Sequence, residues 1–320
     1  MPDAVSGEAR MPRLVVIIPA GPEWQRRFGA FPPLLSIPVM SSRFCFPAIA
    51  ASAALALGFA PSLPAVAQTG APAPRVQSDL KDIRMRAITS LPKAGGSADD
   101  RNSCSWRVIQ PKSPAAKLVA AQGWAVTADV PMGSYRAVSF AGQMEAGTSG
   151  TCTITQGNVA VFDGDRLVAL AYGKSPEDPA IGNLTALEGG SVRVWDGDLI
   201  GSPVGDLRVE ADGTLRLGKL ADEESVCKGR AKVPNVYGMP IDKARKVLAA
   251  SGWNPVRGGA SSESRQAGFV KRGIAEAESC AGTGLAYCDF GYSGPAGRLT
   301  VTTAGEKSLP NVVGYDVNCR

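Results

Sequence analysis

Seven cysteines and no histidine set the chemistry open to this 320-residue chain. Without imidazole there is no Ser-His-Asp or Cys-His arrangement, and no zinc site with histidine ligands. General acid/base work near neutral pH falls most readily to histidine, which leaves carboxylate pairs and Ser-Lys dyads. Two Asp-Gly-Asp triplets supply the first carboxylates to consider, Asp163 with Asp165 and Asp196 with Asp198. A calcium loop needs further oxygen ligands at fixed positions and a closing glutamate, and neither follows. Asp-Gly is the ordinary signal of a tight turn, so these aspartates are expected to turn the chain. Ser90-Leu-Pro-Lys93 matches Ser-x-x-Lys, but Pro92 breaks the helix that would align the pair, and its companion motifs are missing. Gly282-Thr-Gly284 lacks the third glycine of a dinucleotide loop. No catalytic residue, metal or cofactor is expected.

The cysteines point elsewhere. Arg43, the apolar run from Phe44 to Ala60, Pro61, Pro64 and Ala65-Val66-Ala67 read as a secretory signal over 40–67. A membrane anchor is the alternative reading of such an apolar run; the alanines, the prolines and the Ala-x-Ala site favour cleavage, with no membrane association afterwards. Residues 1–39 are either an extension that masks the leader or an artefact of start choice, with Met40 the natural start. Cys45 would leave with the leader. Cys104, Cys152, Cys227, Cys280, Cys288 and Cys319 then make an even set, expected as three disulfides in an oxidising compartment, periplasmic or secreted. Local pairing would join Cys104 to Cys152 and leave four cysteines to the C-terminal part.

Beyond Ala67 the charge is +3 (29 basic minus 26 acidic), too balanced for a nucleic-acid surface. Abundant glycine (37) and proline (24) suit short strands joined by turns. The expected fold class is α+β, mostly β. Residues 68–99 read as a linker followed by a short helix near 77–89, from the spacing of Leu80, Ile83, Ala87 and Ile88; Ser97–Ser103 reads as a loop. Residues 100–226 read as an antiparallel β domain of six or seven strands, beginning with Trp106–Ile109. Its packed helix is capped by Ser113-Pro114 and closed by Gly123. Asp-Gly at 163, 196 and 212 would turn three hairpins.

Residues 227–320 form the remaining domain. Val233–Val236 reads as a brief extended segment that includes the structural Pro234, and Gly238 as a turn. A helix follows with Leu248 on its buried face, Gly252 as its cap and Trp253 folding back on it. The pattern Val233-Pro-Asn-Val-Tyr-Gly-Met239, then Ala244-x-x-x-Leu248-x-x-x-Gly252-Trp253, resembles the PASTA domain over about residues 233–306. Leu299–Gly305 looks like that family's closing strand, and Leu309-Pro-Asn-Val-Val-Gly314 repeats the opening motif as if another copy began. The resemblance implies one helix on a three-stranded sheet outside the membrane, recognising peptidoglycan or serving as a spacer. It carries over no ligand contact, because the matching residues are structural. Glu278–Cys288, with two cysteines, departs from the family pattern. Ala115–Trp124 also echoes Ala244–Trp253, with six of ten positions identical.

The expected function is that of an exported, non-catalytic envelope protein whose partner is peptidoglycan or another envelope protein. The alternatives are a secreted protein inhibitor and a histidine-free carboxylate hydrolase.

Overall fold

Twelve strands between Val76 and Gly218 build two five-stranded sheets and a two-stranded ribbon. The computed structural model describes residues 73–259, 264–282 and 284–320; the extension 1–39, the leader 40–67 and Cys45 lie outside the described residues. In chain order the elements are β1 (Val76–Ser78), β2 (Ile83–Ala87), α1 (Ala98–Asn102), α2 (Pro114–Ala121), β3 (Ala125–Met132), β4 (Tyr135–Ala141), β5 (Gln143–Ala146) and β6 (Cys152–Thr155). Then come β7 (Asn158–Asp163), β8 (Arg166–Gly173), β9 (Asn183–Ala186), β10 (Val192–Trp195), β11 (Pro203–Val209) and β12 (Leu215–Gly218). The first sheet runs β2-β8-β7-β4-β3. The second runs β1-β12-β11-β10-β9, and β1 joins β12 in parallel.

The sheets face each other. Val159, Val161 and Ala171 of the first share one core with Val192, Val194, Leu207 and Leu217 of the second. α2 covers the other face of the first sheet, where Ala116 and Val119 meet Phe140, Ala160 and Phe162. Val159-Ala160-Val161-Phe162 is therefore an unbroken apolar run, since both faces of β7 are covered. The second sheet alternates instead. Val192 and Val194 point inward while Arg193 points out, beside Asp206 on β11.

The stretch expected as a helix near 77–89 forms β1 and β2. Helical spacing of Leu80, Ile83 and Ala87 coexists with strict alternation in Ile83-Arg-Met-Arg-Ala87, and antiparallel pairing with β8 selects the strand. Trp106–Ile109 is not a strand: Ser105–Arg107 is a 3-10 turn. The loop expected over Ser97–Ser103 holds α1, closed by a capping box between Ser97 and Asp100. Ten strands, β3 to β12, stand where six or seven were expected. The helix at Ser113-Pro114 forms as expected, with Ser113 Oγ accepting from the Ala116 N–H. Asp163-Gly164 and Asp212-Gly213 turn hairpins, with Gly164 at φ 63° and Gly213 at φ 81°. Asp196-Gly197 does not: it opens a longer loop, and Gly197 is needed for close approach. A Cβ there would come within 2.0 Å of the Ile154 carbonyl oxygen.

The C-terminal subdomain begins earlier than expected. β13 (Glu223–Val226) and β14 (Ala231–Pro234) are a hairpin with Cys227 and Lys228 in its turn, so the boundary at 226/227 would cut it. There follow α3 (Ile241–Ala250), β15 (Asn254–Pro255), α4 (Arg265–Lys271), β16 (Ala277–Cys280), β17 (Cys288–Gly294), β18 (Gly297–Ala304) and β19 (Asn311–Cys319). β15 and β16 both pair with β17, and β18 and β19 continue the sheet. With the β13–β14 hairpin that is two helices, a five-stranded sheet and a two-stranded one among the described residues, where the family resemblance implied one helix on a three-stranded sheet. α3 ends in a Schellman motif: Gly252 (φ 86°) donates to Ala249, and Trp253 to Leu248. Gly273 (φ 80°) and Ile274 close α4 the same way, a signal equally present in the sequence. Glu276 is fully buried and accepts two bonds from Arg245 (2.7 and 3.2 Å), pinning α3 to the sheet.

Leu309–Gly314 begins no further copy. Its Asn311–Gly314 lie in β19, and Pro310–Val312 zips against Gly238–Ile241, just after the first Pro-Asn-Val. Gly238 donates to the Val312 carbonyl (2.8 Å), Val312 to Met239 (2.9 Å) and Ile241 to Pro310 (3.0 Å). Both Gly-Trp helix ends also share one device. Trp124 Nε1 donates to Pro92 O (2.9 Å) and Trp253 Nε1 to Lys232 O (2.8 Å).

The six cysteines form three pairs: Cys104–Cys152, Cys227–Cys319 and Cys280–Cys288. The second is not local, as its partners are 92 residues apart. Three disulfides fit an oxidising environment. No helix among the described residues is long and apolar enough to cross a membrane.

Candidate functional site

The subdomain docks on the outer face of the second sheet, and the seam is built around Arg193. Cross-strand register sets Arg193 between Thr185 and Asp206. Its guanidinium is 3 % exposed and makes two bonds to Asp206 (3.0 and 3.3 Å) and one to Glu224 of β13 (2.6 Å). Burial opposes the charge, but Asp206 and Glu224 more than offset it and hold the guanidinium protonated. Arg193 also lies over the Tyr237 ring, 5.3 Å from its centroid.

Each Pro-Asn-Val motif delivers one tyrosine here. Tyr237 precedes Gly238, whose φ of 72° makes the turn, and Tyr315 follows Gly314 on β19. The rings stack at 4.7 Å. Tyr315 donates to Glu224 (2.8 Å), and burial raises both phenols above their ordinary pKa. Trp195 meets Tyr237 edge-on at 5.6 Å and donates Nε1–H to Thr185 Oγ1 (3.0 Å).

Two cavities adjoin at Trp195 and Thr185, which line both. One, about 350 Å³, lies against Tyr237, Tyr315, Glu188 and the Cys227–Cys319 bond. The other, about 390 Å³, is lined by Arg107, Asn183, Asp196, Leu199 and Tyr287. Disulfides brace the second from two directions. Cys104–Cys152 holds the turn carrying Arg107, and Cys280–Cys288 closes the loop carrying Tyr287.

Glu188 latches the rim, accepting from the Lys228 N–H (2.6 Å) and the Gly229 N–H (2.9 Å) at the hairpin tip. Those backbone donors hold its carboxyl below the ordinary range. The contact is therefore fully present above the unfolded value of about 4.3 and is lost as pH falls through the lower folded value. Amide exchange at Lys228 and Gly229, corrected for intrinsic rates, should accelerate below that window in the wild type. Glu188→Gln should flatten the change; identical pH profiles would refute the latch.

The residues marked in the sequence take structural places. Pro234 ends β14, Leu248 is fully buried, and Trp253 is 1 % exposed. Asp163 pairs with Arg166 on the β7–β8 turn. Asp196 accepts from the Ser202 and Asp198 N–H groups on its own loop, while burial raises its pKa. The two aspartate pairs thus sit on separate turns. Among the described residues no group of three or more His, Cys, Asp or Glu side chains could hold a metal. Arg193, Trp195, Tyr237 and Tyr315 were not singled out in the sequence. The available signal was a tyrosine beside a glycine just after each Pro-Asn-Val copy.

No protein-family model, curated protein or solved structure matches the chain.

Proposed function

We propose that this is an exported, non-catalytic recognition protein of the cell envelope, periplasmic or secreted, that binds peptidoglycan along the seam groove. The observation that supports it is the groove itself: an open cleft lined by aromatic rings and planar polar side chains, braced by disulfides. Mostly pre-formed clefts with a few placed polar groups are what binding sites look like. The resemblance of Val233–Trp253 to the PASTA domain supports the choice of the wall as partner. The hydrolase reading is not carried forward, since Asp163 and Asp165 stand on the β7–β8 turn and Asp196 and Asp198 on a separate loop after β10.

Co-sedimentation of the full chain with purified cell wall tests this. Wild-type protein should partition into the pellet at moderate salt, and protein that stays in the supernatant refutes wall binding. Tyr287, 38 % exposed within the short Cys280–Cys288 loop, supports the inhibitor as a second reading. A disulfide-closed loop presenting one aromatic anchor suits insertion into another protein's cleft.

A further inference from the structure

The lobe of about 390 Å³ beside Trp195 has a chemistry more specific than the groove as a whole. Its apolar surface comes from Trp195, Tyr287 and Leu199, of which the last two are exposed. The indole N–H is already spent on Thr185, and the ring is held at 87° to that of Tyr237. Trp195 therefore offers a fixed aromatic surface and no donor. Around it stand polar groups to which the structure assigns no protein partner among the described residues: the Arg107 guanidinium, the Asn183 amide nitrogen and the Tyr287 hydroxyl. Asn183 is held by its own Oδ1, which accepts from the Leu184 N–H (2.9 Å). Arg107 and Asp196 are the two charged side chains lining the lobe, and they balance.

A balanced site does not select a strongly charged ligand. A long apolar chain would leave Arg107 and Asn183 unsatisfied. An extended peptide added to β9 needs a free row of edge N–H groups, and Asn183 interrupts that row at Leu184. What remains is a neutral ligand with an apolar face and hydrogen-bonding groups around its rim. We infer that this lobe binds a saccharide ring laid on Trp195, with Asn183, Arg107 and Tyr287 reading its rim. Rigid aromatic platforms of this kind give contact area at low entropic cost. The inference rests on the reading of the seam as the binding groove and adds the ligand chemistry and the residues.

Calorimetric titration of the full chain with a β-1,4-linked N-acetylglucosamine tetramer, and with glycan strands stripped of their peptides, tests it. Saturable binding is expected, weakened by about tenfold or more in Trp195→Ala and by a few-fold in Asn183→Ala and Tyr287→Ala. Tyr287 is exposed, so its variant keeps the test informative should Trp195→Ala unfold. Wild-type protein that binds neither saccharide overturns the inference, as does unchanged affinity in folded Trp195→Ala and Tyr287→Ala. Binding of the released stem peptides in place of the glycan also overturns it. Wall sedimentation without saccharide binding sinks this inference and leaves the wall reading standing; saccharide binding without sedimentation does the reverse.

Discussion

Replacing Trp253 by alanine should cost about 3–5 kcal/mol of stability, the range for truncating a large aromatic in a packed core. The ring is 1 % exposed and packs with Leu248, Val233 and Tyr292 in the core of the C-terminal subdomain. It also lies against Gly294, where an added Cβ would come within 2.5 Å of the indole, so the backbone has shaped itself to this side chain. Truncation would further leave the Lys232 carbonyl without its indole donor, a loss of about 1–3 kcal/mol where no water replaces it. Urea unfolding gives the number directly, provided the slope is unchanged. Trp106 is the internal control. It is 55 % exposed, and its alanine variant should stay within about 0.5 kcal/mol of wild type. Equal losses in both would show that the helix-ending tryptophan does not anchor the subdomain.

Removing Cys227–Cys319 as a double serine variant should cost about 2–5 kcal/mol, and more than removing Cys280–Cys288. Chain entropy supplies the ranking. The first bond spans 92 residues and the second 8, which corresponds to about 4.6 and about 2.5 kcal/mol respectively. The long bond also lines the seam, so its loss should expose the β13–β14 hairpin to amide exchange before the rest of the sheet. Denaturant midpoints of the two double variants test the order. A reversed order would mean that the short cross-strand bond stabilises by a route other than loop closure.

Local signals carried much of the fold. Ser113-Pro114 and Gly123 bracketed α2 correctly, Gly252 ended α3, and Asp163-Gly164 turned a hairpin, because each is set by the residue's own backbone preferences. Ile83–Ala87 was lost to a helical reading because its strand identity comes from β8, a partner more than 80 residues away. Asp196-Gly197 departs from the hairpin pattern for a related reason: its glycine answers to the Ile154 carbonyl and not to a turn. The seam was the least legible feature. Arg193, Tyr237 and Tyr315 lie far apart in sequence, and their meeting follows from docking the subdomain on the outer face of a sheet. What could be read was the supporting frame, an even set of cysteines and a motif whose recognisable residues hold the backbone in place.

Cys227 and Cys319 also set how the molecule would carry mechanical load. They are bonded where the subdomain's hairpin meets the end of its last strand. Tension applied to the chain on either side of residues 227 and 319 would pass through the covalent bond and bypass the hydrogen-bonded ladder of β18 and β19. The sheet between them would stay slack, and the stacked pair Tyr237 and Tyr315 inside the bonded loop would hold, while Arg193 and Trp195, outside it, would take the load.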